Sequence, residues 1–293
     1  MKKSESAPEP LKDYLAAMIE QVATSSERGG DYAPGVCTGF TDLDRVTAGF
    51  RPGNLIVVAG RPAIGKTALS MHIIAHVALN EKLPVVLFNL ETNASEWLLR
   101  LVGAIGRINL SRLRTGMLEE DEWGRFPEVV EQLQGACIHM DETPEINPAE
   151  LRAHSRLLAE QFGGQLGLIV IDYLQLMSAS QERESRAAEI SDISRSLKAL
   201  AKELKCPVMV LSQIGGALED RIDKRPVLRD LGSIQEDADV ILFLYRDEVH
   251  LQESPDAGLA EVIIAKQRQG PIGTVHLGFD KTIGRFDSLK REF

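Results

Sequence analysis

One segment of this sequence combines the residue types that a phosphate-binding loop needs. Its residues run in the order Gly60, Arg61, Pro62, Ala63, Ile64, Gly65, Lys66, Thr67 and Ala68. This is the spacing G-x-x-x-x-G-K-[ST], in which glycines allow backbone N–H groups to face a triphosphate. We expect Lys66 to reach the β- and γ-phosphate oxygens and the Thr67 hydroxyl to ligate Mg²⁺. The apolar run at 55–59 and the helical pattern at 68–79 suit the strand and helix that flank such a loop.

Three more polar side chains follow strands that we expect to end at the same edge of a sheet. Asp172 ends the apolar run 168–171, where a protein with this loop places the acid that orients Mg²⁺. Glu91 ends the run 85–90 and is the candidate base for the water that attacks the γ-phosphate. A solvated carboxylate at a strand end is the alternative for Glu91. Gln213 brings a neutral amide suited to hydrogen-bonding the γ-phosphate or that water.

Two cations lie near the end of a later predicted strand. Lys266 and Arg268 are two residues apart, so they share one face of that strand. Such cations often guard a solvated strand edge against aggregation. The alternative is an arginine finger that completes the nucleotide site of a neighbouring subunit. Spacing alone leaves both interpretations open.

The elements that must position these residues alternate between strands and helices. Strands are predicted near 54–60, 84–91, 136–140, 166–172, 207–213, 239–245, 260–268 and 272–280. Helices are predicted near 67–80, 94–106, 119–134, 148–162 and 185–205, and none after Gln213. This alternation predicts an α/β fold with a mostly parallel sheet covered on both faces, followed by antiparallel strands at the C-terminus.

A shorter region precedes the α/β domain, which we place at 35–293. Residues 1–34 comprise a polar start for which we expect disorder, an amphipathic helix and a linker. The apolar stripe on that helix consists of Leu11, Tyr14, Leu15, Met18, Ile19 and Val22, and the helix should end near Ser25. The stripe must be buried either on its own domain or on a neighbouring subunit. The pattern does not distinguish the two.

Composition narrows the class of protein. The chain has 293 residues, of which 44% are hydrophobic and 26% charged, which is ordinary for a protein with a packed core. It contains neither a membrane-length apolar run nor a signal-peptide core, so we expect a cytoplasmic protein without a membrane partner. The three cysteines lack metal-binding or redox spacing. A net charge of −10 argues against a surface coated for nucleic acid, although a ring can confine basic groups to its channel.

Taken together, the motifs over about 36–293 resemble the C-terminal ATPase domain of the DnaB-type replicative helicases, which are RecA-like P-loop ATPases. Besides the phosphate loop, the segments that carry this resemblance include Thr38-Gly39-Phe40-Thr41-Asp42-Leu43-Asp44, Asn89-Leu90-Glu91, Leu113-Arg114-Thr115-Gly116, Ile171-Asp172-Tyr173-Leu174-Gln175-Leu176, Gln235-Glu236-Asp237-Ala238-Asp239 and Ala265-Lys266-Gln267-Arg268-Gln269-Gly270-Pro271. The resemblance implies a homohexameric ring that hydrolyses ATP with Mg²⁺ between subunits and threads single-stranded DNA through its centre. It also implies that the 11–24 helix clasps the neighbouring subunit.

The resemblance assigns roles to the polar residues. Lys66 and Thr67 would hold phosphate and Mg²⁺, Glu91 would be the catalytic glutamate, and Asp172 the metal-orienting acid. Gln213 would sense the γ-phosphate, and Arg268, with Lys266, would act as the finger in trans.

Two departures from the family pattern concern partners. The chain has no room for the family's N-terminal helical domain, which binds primase, so we expect either a fragment or a naturally short relative from a mobile element, and primase is a doubtful partner. The loops that would face DNA lack basic residues common in the family, at Asp230-Leu231 before Gly232 and after Gln213. The candidate phosphate contacts that remain are Arg221, Lys224, Arg225, Arg229 and Gly232. A helicase loader stays open as a partner.

The sequence therefore predicts an ATP-dependent hexameric helicase motor that moves on single-stranded DNA during replication. Two other interpretations stay open. One is a RecA-like ATPase in recombination or signalling that does not unwind DNA, and the altered loops favour it. The other is an assembly module in which ATP only stabilises the ring, and Glu91 argues against it.

Overall fold

The strands of this protein form one mixed sheet. The computed structural model describes residues 10–12, 15, 18, 19, 23, 35–178, 185–215, 221–251 and 253–289. Within them nine strands pair in the order β3-β2-β4-β5-β1-β6-β7-β8-β9. They lie at Leu55–Gly60 (β1), Val85–Asn89 (β2), Ile138–Asp141 (β3), Leu168–Asp172 (β4), Val208–Gln213 (β5), Val240–Tyr245 (β6), Leu259–Gln267 (β7), Gly273–Asp280 (β8) and Arg285–Ser288 (β9).

Strand direction divides the sheet into two parts. The six strands β1 to β6 pair in parallel, and β6 to β9 form an antiparallel meander. Because parallel strands point the same way, the carboxyl ends of β1, β2, β4 and β5 all reach one edge of the sheet. A ligand that needs polar groups from the carboxyl ends of several parallel strands would find them at that edge.

Helices cover both faces of the parallel part. They lie at Thr41–Thr47 (α1), Lys66–Leu79 (α2), Ala94–Gly106 (α3), Leu110–Thr115 (α4), Glu120–Gln134 (α5), Pro148–Gln161 (α6), Arg186–Leu204 (α7) and Ile234–Asp237 (α8). The 3₁₀ turn at Leu174–Leu176 follows β4 and matters below, and another lies at Leu228–Leu231. Asn147 caps α6 by accepting hydrogen bonds from the N–H groups of Ala149 and Glu150, as its sequence signature predicts.

The central strand shows how the two layers of core arise. All six residues of β1 are buried. Ile56 and Val58 pack into the cluster beneath α2 and α3, whereas Leu55, Val57 and Ala59 pack into the cluster on the opposite face. A strand covered on both faces reads as a continuous apolar run, which is why the sequence pattern located it.

The predicted fold class is confirmed: the sheet is mostly parallel, with antiparallel strands at its C-terminal side. Two expectations need correction. Helices do not stop after Gln213, since α8 follows as a single turn of four residues. The short elements α1, α4 and β9 were not predicted.

The N-terminal stripe is described only in part. Leu11, Leu15, Met18 and Ile19 are helical and exposed, with Leu11 at 74%. Tyr14, Val22 and the predicted end near Ser25 lie outside the described residues. Within the described ranges, the structure contains no helix with the length and apolar character required to span a membrane.

Candidate active site

The phosphate loop connects β1 to α2, and a glycine lies near each of its ends. Gly65 has φ of +109°, a region that side chains rarely adopt, and a Cβ there would lie 3.0 Å from the ring of Phe286. Gly60 lies directly against the backbone of β6: a Cβ at this position would lie 2.8 Å from the carbonyl oxygen of Leu244. Packing therefore favours glycine at both positions, and the backbone conformation favours it at Gly65 as well.

Lys66 begins α2 and turns its side chain into the loop. Its Nζ donates to the carbonyl oxygens of Gly60 at 3.1 Å and Arg61 at 2.9 Å. Burial lowers the pKa of the ammonium to about 8, and the nearby carboxylates of Asp172 and Glu91 oppose this shift. A desolvated cation held by two neutral carbonyls is well placed to exchange them for phosphate oxygens.

Asp172 and Thr67 meet beside this cation. The Thr67 hydroxyl donates to Asp172 Oδ2 at 2.9 Å. Burial raises the pKa of the Asp172 carboxyl to about 6, against the hydrogen bond from Thr67 and the charge of Lys66.

The same pair fits the needs of Mg²⁺. No cluster of three or more His, Cys, Asp or Glu side chains suited to a metal occurs among the described residues. Mg²⁺ usually takes only one or two protein ligands and completes its shell with water and phosphate oxygens. The oxygens of Thr67 and Asp172 meet that requirement.

Glu91 lies close to the same charges. Its carboxylate acts on the pKa values of both Lys66 and Asp172, although its own side chain is exposed. The turn that carries it is anchored at both ends. The Leu90 N–H donates to the Asp172 carbonyl at 2.7 Å, and the Asn89 side-chain amide donates to the Thr92 carbonyl at 2.6 Å. An exposed carboxylate beside a buried cation and acid can accept a proton from water at this edge.

Gln213 ends β5 beside the loop. It pairs with Gly60 of β1, and the next N–H, from Ile214, donates to the Gly60 carbonyl at 3.1 Å. Lys66, Thr67, Glu91, Asp172 and Gln213 are thus brought to one edge of the sheet.

Lys266 and Arg268 lie at the opposite edge. β7 runs antiparallel to β6, so Gln267 pairs with Val240 at the amino end of β6. The Arg268 guanidinium donates to the Glu236 carbonyl at 3.0 Å and lies 3.5 Å from Asp239, and the Lys266 ammonium donates to the Gln235 carbonyl. Asp239 is level with Leu55, so about 17 Å of strand separates these cations from the loop of their own chain.

Two of the candidate DNA contacts are already ion-paired within the chain. Arg221 pairs with Asp230 at 2.7 Å, and Arg225 pairs with Glu261 while lying over the Tyr245 ring. Arg229 is exposed and Lys224 is half-buried. Gly232 has φ of +63° just before α8. Ion pairing within the chain already neutralises Arg221 and Arg225.

Sequence reasoning missed two side chains that hold the loop from the antiparallel side. Arg246, directly after β6, donates to the Ile64 carbonyl at 3.3 Å and lies 4.0 Å from the centre of the Phe279 ring. Phe286 on β9 packs against Gly65. The available signal for Arg246 was an arginine directly after an apolar run, whereas nothing local marks Phe286.

The sheet order, the phosphate loop and the Thr67–Asp172 pair together define a RecA-like P-loop fold. Chains of known structure share it. One solved ATPase domain superimposes with a TM-score of 0.91 at 34% identity, over 97% of this chain and 100% of the other. A structure of a DnaB-like replicative helicase and its interactions with primase gives a TM-score of 0.87 at 34% identity, over 98% of this chain and 69% of the other. The RadB recombinase gives 0.55 at 20% identity, over 87% and 100%, and shares the fold.

The chain belongs to the DnaB-like helicase C terminal domain family, whose sequence model matches residues 35–288. Among its relatives, the replicative DNA helicase DnaB of Geobacillus stearothermophilus is 44% identical over 97% of this chain and 63% of the relative. The replicative DNA helicase DnaC of Bacillus subtilis is 43% identical over 100% of this chain and 64% of the relative. The chain therefore spans a little under two thirds of the length of these relatives.

Proposed function

We propose that this chain hydrolyses ATP between its own copies and uses the cycle to move along single-stranded DNA as a homohexameric helicase motor. The observation that carries the hydrolysis step is the convergence of Lys66, Asp172 and Glu91 beside one loop. Family membership and relatives named as replicative DNA helicases support the motor.

Each residue of the site has one task in this proposal. Lys66 exchanges the Gly60 and Arg61 carbonyls for β- and γ-phosphate oxygens of ATP. Glu91 polarises the attacking water, and Gln213 hydrogen-bonds the γ-phosphate or that water. Mg²⁺, held by Thr67 and Asp172, would neutralise charge on the phosphate oxygens. Within residues 60–68, the backbone N–H groups of the residues other than Pro62, which has none, face the phosphates.

The finger belongs to a neighbouring copy. Arg268 and Lys266 lie at the sheet edge opposite their own phosphate loop, which supports action in trans. We propose that Arg268 leaves the Glu236 carbonyl for a neighbour's γ-phosphate, with Lys266 beside it. The apolar side chains of Leu11, Met18 and Ile19 are exposed in the single chain. This exposure favours packing of the helix on a neighbouring copy over packing on the chain's own domain, and such a contact would hold the ring together.

The DNA side of the proposal concerns the loops after β5 and before α8. Lys224, Arg229 and the Gly232 turn supply phosphate contacts, and Arg221 and Arg225 join them if DNA displaces Asp230 and Glu261 from their ion pairs. Loss of the γ-phosphate releases Gln213 and so acts on the segment after it, of which 216–220 lie outside the described residues; we propose that this passes the strand to the next subunit.

The test is steady-state ATP hydrolysis with and without single-stranded DNA, using Lys66→Ala as the blank. The motor predicts hydrolysis that DNA stimulates and that the blank lacks. No turnover above the blank in either condition would refute the proposal.

A second candidate is a RecA-like ATPase that does not unwind DNA. The ion-paired state of Arg221 and Arg225 favours it, because paired cations contribute little to phosphate binding. This candidate predicts hydrolysis indifferent to DNA and no strand separation on a forked duplex, whereas the motor predicts both stimulation and separation.

A further inference from the structure

Gln175 lies at the place where the pairing between β4 and β5 stops. The backbones of these strands pair from Ile169 with Val208 to Ile171 with Val210. β4 then ends at Asp172 and turns into the 3₁₀ turn Leu174–Leu176, while β5 continues to Gln213. The last residue of β5 therefore extends beyond the backbone that would otherwise have been its neighbour.

The side-chain amide of Gln175 takes the place of that missing backbone. Its Nε2 donates to the Gln213 carbonyl at 3.0 Å and to the Ser212 hydroxyl at 3.0 Å. Its Oε1 accepts from the Gln213 N–H at 3.3 Å. A primary amide offers the same donor and acceptor as a peptide group, so it can continue a β-ladder by one step.

Gln213 is consequently fixed from both sides. On one side β5 pairs with β1, and the Ile214 N–H donates to the Gly60 carbonyl. On the other side Gln175 binds both backbone groups of Gln213. Arg186 in turn holds the 3₁₀ turn by donating to the carbonyls of Gln175 at 2.9 Å and Met177 at 3.0 Å.

We infer that Gln175 is a positioning residue that joins the Gln213 backbone to the turn that follows Asp172, so that the metal-side acid and the γ-phosphate sensor move as one unit. This inference rests on the proposed ATP hydrolysis. Gln175 touches neither phosphate nor water in this role and acts through Gln213. Without the Gln175 amide, the backbone N–H and C=O of Gln213 lose their hydrogen-bond partners. The backbone from which the Gln213 side chain projects is then less well fixed.

The first variant is Gln175→Met, which keeps the length of the side chain and removes both hydrogen-bonding groups. We expect kcat for ATP hydrolysis to fall by roughly ten- to a hundredfold, because a misplaced Gln213 side chain stabilises the transition state less well. The KM for ATP should stay within about twofold of the parent value. In the nucleotide-free protein, amide hydrogen exchange in residues 208–215 should speed up by about tenfold. The control is Gln165→Met, an exposed position that should change neither quantity.

The second variant, Gln175→Glu, gives a readout that a purely structural role would not produce. Its ionised carboxylate still accepts from the Gln213 N–H but cannot donate to the Gln213 carbonyl. A protonated carboxyl regains one donor. The kcat of the variant, as a ratio to the parent, should therefore rise as pH falls through the pKa of the new carboxyl.

The two measurements separate this inference from the proposed function. A parent chain that does not hydrolyse ATP refutes the proposed function. The hydrogen-exchange experiment then still tests whether Gln175 holds the Gln213 backbone. A hydrolysing parent with unchanged kcat and unchanged exchange in Gln175→Met overturns the inference. A pH-independent ratio for Gln175→Glu overturns it as well, even if Gln175→Met fails to fold.

Discussion

Lys66→Met should stabilise the nucleotide-free protein while abolishing nucleotide binding. Lys66 is 8% exposed, and burial lowers the pKa of its ammonium from 10.5 to about 8. The unfolded chain thus holds this proton more tightly than the folded chain does. A buried ammonium with a lowered pKa destabilises the fold for as long as it is charged.

The magnitude follows from the pKa values. A fall from 10.5 to about 8 corresponds to about 3 kcal/mol below pH 8, at about 1.4 kcal/mol per pH unit. Methionine has a similar length without the charge, but it loses the hydrogen bonds to Gly60 and Arg61, at about 1 kcal/mol each. The expected net gain is about 1–2 kcal/mol, or a Tm higher by about 2–6 °C.

The sign of the pH dependence gives a second check. Between pH 8 and 10.5 the unfolded chain binds more protons at this position, so the stability of the parent rises with pH relative to the variant. The advantage of Lys66→Met should therefore be full below pH 8 and should shrink as pH rises through this window.

The assay is thermal unfolding at several pH values, with and without ATP and Mg²⁺, at one protein concentration. Lys202→Met, at an exposed position of α7, removes the same charge without the burial and should leave Tm nearly unchanged. Nucleotide should raise the Tm of the parent and of this control only. A Lys66→Met protein less stable than the parent at pH 7 would refute the desolvation argument.

Three further predictions concern packing and charge. Gly60→Ala should lower the free energy of unfolding by about 1–3 kcal/mol, because its Cβ would lie 2.8 Å from the Leu244 carbonyl oxygen. The control Gly124→Ala, whose Cβ would have nothing within 4 Å, should be neutral or stabilising. Urea unfolding compares the two variants. Lys198→Met should lower stability by about 3 kcal/mol because it leaves Asp239 buried without its ammonium partner, and adding Asp239→Asn should restore part of the loss in the same unfolding assay. The affinity for Mg²⁺ with a non-hydrolysable ATP analogue, measured by calorimetry, should fall by about tenfold per pH unit below about 6, where the Asp172 carboxyl takes up a proton; an affinity that does not change between pH 7 and 5 would contradict this assignment.

The phosphate loop could be located from sequence because its chemistry dictates residue types at fixed spacing. The buried strands were equally accessible, since a strand covered on both faces leaves a continuous apolar run such as Leu55 to Ala59. Asp172 and Gln213 then followed from the direction of parallel strands, which brings their carboxyl ends to one edge.

Short elements were missed because they leave too little pattern. α4 has six residues, yet Asn109 caps its start by accepting from the N–H groups of Ser111 and Arg112, and Gly116 ends it. Those two residues were the available signal. α1 begins after Phe40, which makes no side-chain cap, and its seven residues are too few for a helical period to be distinctive. The four residues of β9 are too few for alternation to be distinctive.

Contacts between distant segments lay beyond sequence reasoning for a different reason. Arg246 and Phe286 support the loop only because β6 and β9 are placed beside it by the sheet order. The same holds for Gln175, whose residue type has many uses and whose role depends on where β4 stops. Register and sheet order are properties of the folded chain as a whole.

Catalysis between subunits can be tested by mixing two inactive variants. Lys66→Ala removes the phosphate-binding cation and Arg268→Ala removes the finger, and these residues lie at opposite edges of one chain. If the finger acts in trans, an interface between an Arg268→Ala chain and the Arg268 of a Lys66→Ala chain is intact. An equal mixture assembled together should then recover hydrolysis to about a quarter of the parent rate, since about a quarter of random interfaces are complete. Co-assembled rings that hydrolyse no faster than either variant alone would contradict a finger that acts in trans.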